Sequence, residues 1–133
     1  LLLDQGVIVI CTGGGGIPVL RLPDGSMTGI EAVIDKDAAS ALLAKQLGAD
    51  ALLLLTDVDA VYRGFGTPDE AAIAALTPED ANKLDLPAGS MGPKIRAAAD
   101  FASYGGLAGI GRLDQAIAIL DKRAGTRIVA DTS

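Results

Sequence analysis

Histidine is absent from this sequence, and tryptophan is absent as well. The missing histidine excludes catalysis by an imidazole base and metal sites that depend on histidine ligands. Aromatic residues make up only 3% of the chain, whereas 50% of the residues are hydrophobic and the mean hydropathy is +0.40. A core must therefore be built from alanine, leucine, isoleucine and valine, which favours an α/β domain.

Cysteine and basic residues are also scarce. Cys11 is the single cysteine, so no disulfide framework can form and a reducing compartment is favoured. The 11 basic residues are outnumbered by 17 acidic ones, which gives a formal net charge of −6, so nucleic acid is not expected as a partner. No apolar run approaches the ~20 residues that a membrane-spanning helix needs, and no membrane partner is expected either.

Apolar strands and helical patterns alternate along the 133 residues, which are enough for one domain with its own core. Strands are predicted at residues 7–11, 51–56, 107–111 and 126–130, and helices at 37–47, 93–104 and 114–122, with a further helix beginning at Thr77. Wholly apolar strands separated by helices predict a parallel sheet that is covered on both faces.

Capping residues indicate where several of these helices begin and end. Asp37 is predicted to cap the first long helix, which carries three leucines on one face and stops at Gly48. Thr77 precedes Pro78 and two acidic residues, the pattern of a helix amino terminus. Pro93 is predicted to open the next helix, and two glycines after residue 104 are predicted to end it.

Four consecutive glycines, Gly13 to Gly16, follow the first predicted strand. Ligands of open α/β sheets bind beyond the carboxyl ends of strands, and glycines at that position let backbone N–H groups approach an anion. The run fits neither the Walker A pattern nor the GxGxxG fingerprint. Taken alone, the run is a weak signal, and a flexible surface turn is the alternative interpretation.

Two lysines stand at predicted helix starts, where their own positive charge is unfavourable. Lys36 is flanked by Asp35 and Asp37, and Lys94 follows the glycine- and serine-containing loop 88–92. Each lysine has a simpler interpretation as a solvated side chain, paired with aspartates in the case of Lys36. Together, beside glycine-rich loops, they predict a cationic pocket suited to a polyphosphate.

Five segments in this order resemble the carbamate kinase family of the amino acid kinase superfamily: GGGGIPV, EAVIDKDAA, LLLTDVDAVY, FGTPDE and AGSMGPK. The resemblance implies a three-layer αβα sandwich with a mainly parallel sheet. It further implies that residues 1–133 form one domain, the carboxyl-terminal nucleotide-binding lobe, without the amino-terminal lobe that family members carry. The chain is then expected to be inactive by itself.

The activity implied by the resemblance is reversible phosphoryl transfer from ATP to carbamate, which yields ADP and carbamoyl phosphate. Mg²⁺ would arrive with the nucleotide, held mainly by phosphate and water oxygens, so no protein metal ligand is expected. The family's properties further imply a cytoplasmic protein of arginine breakdown that forms a homodimer at full length.

Site residues follow from the same resemblance. Lys36 and Lys94 would be catalytic, with Asp37 orienting them, and Gly13, Gly14, Gly15 and Gly16 would lie beside the small substrate. The expected nucleotide contacts are Thr56, Asp57, Val58, Tyr62, Met91 and Gly92. Simpler interpretations exist for four of these, namely a strand-end turn at Thr56 and Asp57, a packing role for Met91 and a core aromatic role for Tyr62.

Two other functions stay open at this point. One is a sibling kinase for a carboxylate such as acetylglutamate, which the DKD and GSMGPK signatures disfavour. The other is a fragment or paralogue that binds nucleotide without catalysis.

Overall fold

The computed structural model describes residues 2–11, 13–86, 89 and 91–130. The strands are β1 (Val19–Arg21), β2 (Met27–Gly29), β3 (Ala51–Thr56), β4 (Val61–Arg63), β5 (Ala71–Ile73), β6 (Ala75–Leu76), β7 (Leu107–Arg112) and β8 (Thr126–Ile128). The helices are α1 (Lys36–Leu47), α2 (Pro78–Lys83), α3 (Met91–Ala102) and α4 (Ala116–Leu120), with 3₁₀ turns at Leu3–Gln5 and Leu113–Gln115. Within these ranges, every helix is too short or too polar to cross a bilayer.

The central sheet has four strands in the order β3-β7-β8-β6. β3 and β7 are parallel over their full length, from Ala51 opposite Leu107 to Thr56 opposite Arg112. β8 is antiparallel to β7 and parallel to β6. Because two of the three strand pairs are parallel, the expected α/β fold with a mainly parallel sheet is confirmed.

Helices cover both faces of this sheet, which gives three layers. On one face, α1, α2 and α3 enclose a core that includes Ile95 and Phe101 together with Ile110 of β7. On the other face, the fully buried Ile119 of α4 packs against β7. A Cβ at Gly109 or Gly111 would come within 2.6 Å or 2.8 Å of Ile119, so both positions must stay bare for α4 to fit.

Helices α1 and α3 lie side by side and run in the same direction. Lys94 Nζ is 3.0 Å from Asp37 Oδ2 near their amino termini, and Lys45 Nζ is 2.6 Å from Asp100 Oδ2 further along. Each helix leads through a short turn into a strand, α1 into β3 and α3 into β7. Both helix amino termini therefore lie at the edge of the sheet where β3 and β7 end, called here the carboxyl edge.

Two predicted helix starts are shifted by two residues. The cap of α1 is Asp35, not Asp37: its extended backbone directs Oδ1 to the amides of Asp37 and Ala38, at 2.9 Å and 3.0 Å. Helix α3 begins at Met91, before Pro93, because a proline is tolerated among the first residues of a helix, whose N–H groups have no intrahelical acceptor. At α2 the prediction is confirmed, since Thr77 Oγ1 accepts from the Asp80 amide.

The prediction of a buried strand at residues 7–11 is wrong for this structure. Residues 7–11 form no strand, and the side chains of Ile8 and Ile10 are 92% and 98% exposed. An apolar run becomes a buried strand only where a neighbouring strand and a covering layer receive it. In the described part of the chain, β3 is an edge strand of the central sheet, and no further strand pairs with its outer side.

Helix α1 also buries a different face from the one its leucines suggested. Ala41 and Ala44 are buried, whereas Leu42 and Leu47 are 53% and 43% exposed. Small residues let α1 approach α3 closely, so Leu42 and Leu47 point outward while Leu43 is half-buried. The helix predicted at 114–122 is shorter, a 3₁₀ turn followed by α4, and the two hairpins β1–β2 and β4–β5 were not predicted.

Candidate functional site

Three residues singled out in the sequence meet at the amino termini of α1 and α3. Asp37 Oδ2 lies 3.0 Å from Lys94 Nζ and 3.7 Å from Lys36 Nζ. The Lys94 and Asp37 side chains are buried, 8% and 9% exposed, whereas the Lys36 side chain is 64% exposed. Asp37 therefore holds one lysine inside the protein and has the other at its solvent side.

The formal charges of this cluster balance, and the amino terminus of α1 adds a partial positive charge. Lys94 and Asp37 neutralise each other, and Lys36 adds one positive charge at the positive end of the α1 dipole. Asp35 balances this charge: hydrogen bonding from the Ala38 amide commits its carboxylate to the cap and lowers its pKa, which keeps it negatively charged. Helix amino termini combined with lysines are suited to binding an anion such as a phosphate.

The glycine run lies close to the start of α1. A Cβ at Gly15 would stand 1.7 Å from the carbonyl oxygen of Ile34, so only glycine fits, and Gly16 has a φ of +92°. Gly13 and Gly14 have open space where their Cβ atoms would be. Two glycines are thus required by the fold, while the other two expose bare backbone.

The predicted nucleotide contacts Thr56, Asp57, Val58 and Tyr62 lie at the carboxyl edge, in and after the end of β3. Thr56 Oγ1 donates to Asp57 Oδ1 at 3.0 Å. The hydroxyl of Tyr62 donates to Asp59 Oδ1 at 2.8 Å, and this hydrogen bond raises the pKa of Tyr62. The segment 56–62 is therefore held in a compact turn by its own side chains.

Met91 and Gly92, the other two predicted nucleotide contacts, form the first turn of α3. Met91 packs against the hydrophobic core, as its simpler interpretation expected. Gly92 is buried, and a Cβ there would be 3.2 Å from an Nη atom of Arg96. Ala88 and Ser90 of the same motif lie outside the described residues.

Two side chains at the carboxyl edge were given no role from the sequence. Asp59 holds Tyr62, and Arg112 ends β7 directly opposite Thr56. Pairing the weak strand LAGIG with β3 would have indicated Arg112, because parallel strands end at the same edge. Across the described ranges, no group of three or more acidic or cysteine side chains is arranged to hold a metal ion.

The fold and the paired lysines at this edge define a class of protein. The model of the amino acid kinase family matches residues 1–110, and the chain belongs to that family. Its relatives include carbamate kinases. That of Haemophilus influenzae is 47% identical over 132 residues, covering 98% of this chain and 43% of the relative. That of Halobacterium salinarum is 47% identical over 133 residues, covering 96% of this chain and 43% of the relative.

Solved structures agree with this assignment. Carbamate kinase from Giardia lamblia bound to AMP-PNP superposes with a TM-score of 0.88 at 41% identity, covering 98% of this chain and 47% of that one. N-acetylglutamate synthase from Neisseria gonorrhoeae, at 23% identity and a TM-score of 0.60, shares the fold alone. The chain thus spans less than half the length of the carbamate kinases described here.

Proposed function

We propose that this chain is the carboxyl-terminal, nucleotide-binding lobe of a carbamate kinase, which transfers a phosphoryl group reversibly between ATP and carbamate. One observation carries the proposal: similarity to carbamate kinases extends over nearly the whole chain. The cluster of Asp37, Lys36 and Lys94 supplies charged groups suited to phosphoryl transfer. The AMP-PNP-bound relative supports nucleotide as the ligand.

Phosphoryl transfer depends on positioning and charge neutralisation more than on covalent chemistry by the protein. In our proposal, Lys36 and Lys94 donate to oxygens of the transferring phosphoryl group, where negative charge shifts during the reaction. Asp37 orients both ammonium groups through the 3.0 Å and 3.7 Å contacts. No general base is needed, because carbamate is already an anion.

The remaining candidates would bind and orient the substrates. Backbone amides of Gly13 to Gly16 would contact the small substrate, and Thr56, Asp57, Val58, Tyr62, Met91 and Gly92 would contact the nucleotide. Mg²⁺ would enter with the nucleotide and neutralise phosphate charge. The hydroxyl of Thr56 and the carboxylate of Asp57 are hard oxygen donors at the same edge, which is compatible with a phosphate-held cation.

The cellular setting belongs to the same proposal. We infer a cytoplasmic enzyme of arginine breakdown that forms a homodimer at full length. The single cysteine and the acidic composition are compatible with that setting.

A chimera tests the proposed function. The matching 43% of the Haemophilus influenzae carbamate kinase is replaced by this chain, and ATP formation from ADP and carbamoyl phosphate is measured. We expect the chimera to form ATP and the 133-residue polypeptide alone to form none. The proposal fails if the chimera folds and binds ADP but does not produce ATP.

The same assay distinguishes a carbamate kinase from the sibling kinase for a carboxylate such as acetylglutamate. Acetylglutamyl phosphate in place of carbamoyl phosphate is expected to give no ATP. Efficient use of acetylglutamyl phosphate with poor use of carbamoyl phosphate would instead assign the chain to the carboxylate kinases.

A further inference from the structure

Arg112 occupies a position at the carboxyl edge that the proposed mechanism does not use. It is the last residue of β7 and pairs in register with Thr56 of β3, so the two Cα atoms are about 4.8 Å apart. Side chains alternate between the faces of a strand, and Ala108 and Ile110 of β7 face the core under α1 and α3. Arg112 therefore leaves the sheet on the face where both site helices begin.

The guanidinium of Arg112 is held from one side only. Its Nε donates to Asp114 Oδ1 at 3.1 Å, and this hydrogen bond raises the pKa of Arg112 and lowers that of Asp114. Within the described residues, neither Nη group donates a hydrogen bond to the protein, and the side chain is 51% exposed. The two Nη groups of the planar guanidinium, with four N–H donors between them, are thus available to a ligand.

The neighbouring charges make a cation necessary if a polyphosphate binds at this edge. Asp57, Asp59 and Asp114 all lie in the segments that follow β3 and β7, and three carboxylates would repel phosphate oxygens. Asp59 is engaged by the hydroxyl of Tyr62, and Asp114 by Arg112 itself. Asp59 also acts on Arg112 through its charge.

We propose that Arg112 is a further nucleotide-binding residue, whose Nη groups donate to phosphate oxygens of ADP or ATP. The inference rests on the proposed function, because it requires a nucleotide at the carboxyl edge. Arginine forms directional, charge-assisted hydrogen bonds to phosphate, which a lysine reproduces only as a point charge. Asp114 acts here as a positioning residue for the guanidinium.

Isothermal titration of the purified chain with ADP and with adenosine tests the inference. Arg112→Ala is expected to raise the Kd for ADP about tenfold. This is the lower end of the range for losing a hydrogen bond to a charged group, because the Arg112 side chain is half-exposed. The Kd for adenosine is expected to stay unchanged. Arg112→Lys is expected to recover part of the ADP affinity, and Asp114→Asn to lose part of it.

Lys83→Ala is the matched control, because it removes an exposed cation that is ion-paired with Glu79 on α2, a helix without candidate site residues. ADP affinity is expected to be unchanged in this variant. Equal Kd values for ADP in Arg112→Ala and the unaltered chain would overturn the inference alone. Failure of the unaltered, folded chain to bind ADP would overturn both this inference and the proposed nucleotide site.

Discussion

Lys36 and Lys94 share a carboxylate but differ in burial, which separates their effects on folding and on catalysis. In the chimera, Lys36→Ala and Lys94→Ala are each expected to lower kcat by roughly 10²–10³, the loss typical of one preorganised charge-stabilising donor. Lys36→Ala is expected to change the free energy of unfolding by no more than about 0.5 kcal/mol, since its side chain is exposed. Steady-state kinetics and urea unfolding measure the two effects.

Lys94→Ala is expected to destabilise the protein by about 3–5 kcal/mol, because it leaves the carboxylate of Asp37 buried without its closest partner. Kinetics of this variant are therefore measured at low temperature, with Lys94→Arg as the variant that keeps the charge. Near-normal kcat with a raised KM for ATP in both alanine variants would contradict a catalytic role and make the lysines nucleotide anchors.

Tyr62 offers a measurement that needs no activity. Its hydrogen bond to Asp59 raises the pKa of the phenol above its usual 10, because only the protonated hydroxyl can donate that hydrogen bond. The stabilisation this gives is complete below pH 10 and is lost as the pH rises through the raised pKa. With Tyr104→Phe as background, a single tyrosine remains, and Asp59→Asn is expected to lower its pKa in a tyrosinate absorbance titration.

The control for this titration is Asp121→Asn, which removes an exposed carboxylate that is paired with Arg123. No change in the Tyr62 pKa is expected from it. An unchanged Tyr62 pKa in Asp59→Asn would mean that the hydrogen bond does not persist in solution.

Among the elements, the β4–β5 hairpin depends on one buried hydroxyl. Thr126 Oγ1 accepts from the Val61 amide at 2.8 Å and donates to the carbonyl oxygen of Ile73, so β8 holds both hairpin strands. Thr126→Val keeps the shape but leaves both backbone groups without this partner. We expect the free energy of unfolding to fall by about 1–3 kcal/mol in urea denaturation.

Thr67→Val is the matched control for Thr126→Val, since the Thr67 hydroxyl donates to Gly64 O in an exposed loop where water can replace it. Its free energy of unfolding is expected to change by less than about 0.5 kcal/mol. If both variants lost the same free energy of unfolding, the contribution of the Thr126 hydroxyl would not depend on its burial.

Elements that are recognised by local chemistry were predicted well. The apolar run 51–56, the Thr77 cap and the Gly48 stop depend on neighbouring residues only, and the structure confirms all three. The prediction of a buried strand at residues 7–11 is wrong because burial of a strand depends on a partner strand that is distant in sequence. The hairpins were missed because their short strands carry little alternation of polar and apolar residues.

Part of the candidate site could be predicted from the sequence for the same reason. Lysines at helix starts and glycine runs are local signals, so Lys36, Lys94 and Gly15 could be found. Asp37 was recognised but placed at the cap, because sequence does not reveal which of two aspartates turns inward towards Lys94. Arg112 required the register of β3 with β7, which is a tertiary property.

On the scale of the whole molecule, the amino-terminal segment (residues 7–34) leaves much apolar surface in water. Ile8, Ile10 and Val33 are 92%, 98% and 99% exposed, and β3 has strand pairing on one side only within the described residues. Large exposed apolar patches and open sheet edges favour association. The 133-residue polypeptide is therefore expected to self-associate in light-scattering measurements at increasing concentration.

Replacing Ile8 and Ile10 by lysine is expected to reduce this association. Leu113→Lys is the control, because Leu113 is 75% exposed but lies outside the amino-terminal segment. A monodisperse monomer at high concentration for the unaltered polypeptide would refute the expectation.

The reversed direction of β8 determines where the molecule can be tethered. β8 runs from Thr126 opposite Ile110 to Ile128 opposite Ala108, away from the carboxyl edge, and Ala130 lines the same surface pocket as Ser103, which follows the carboxyl end of α3. A chemical handle attached at residue 130 would therefore sit at the opposite end of the sheet from Lys36 and Arg112. Immobilised through that handle, the protein would present its candidate site to the flowing solution, which suits surface-based measurements of nucleotide association and dissociation rates.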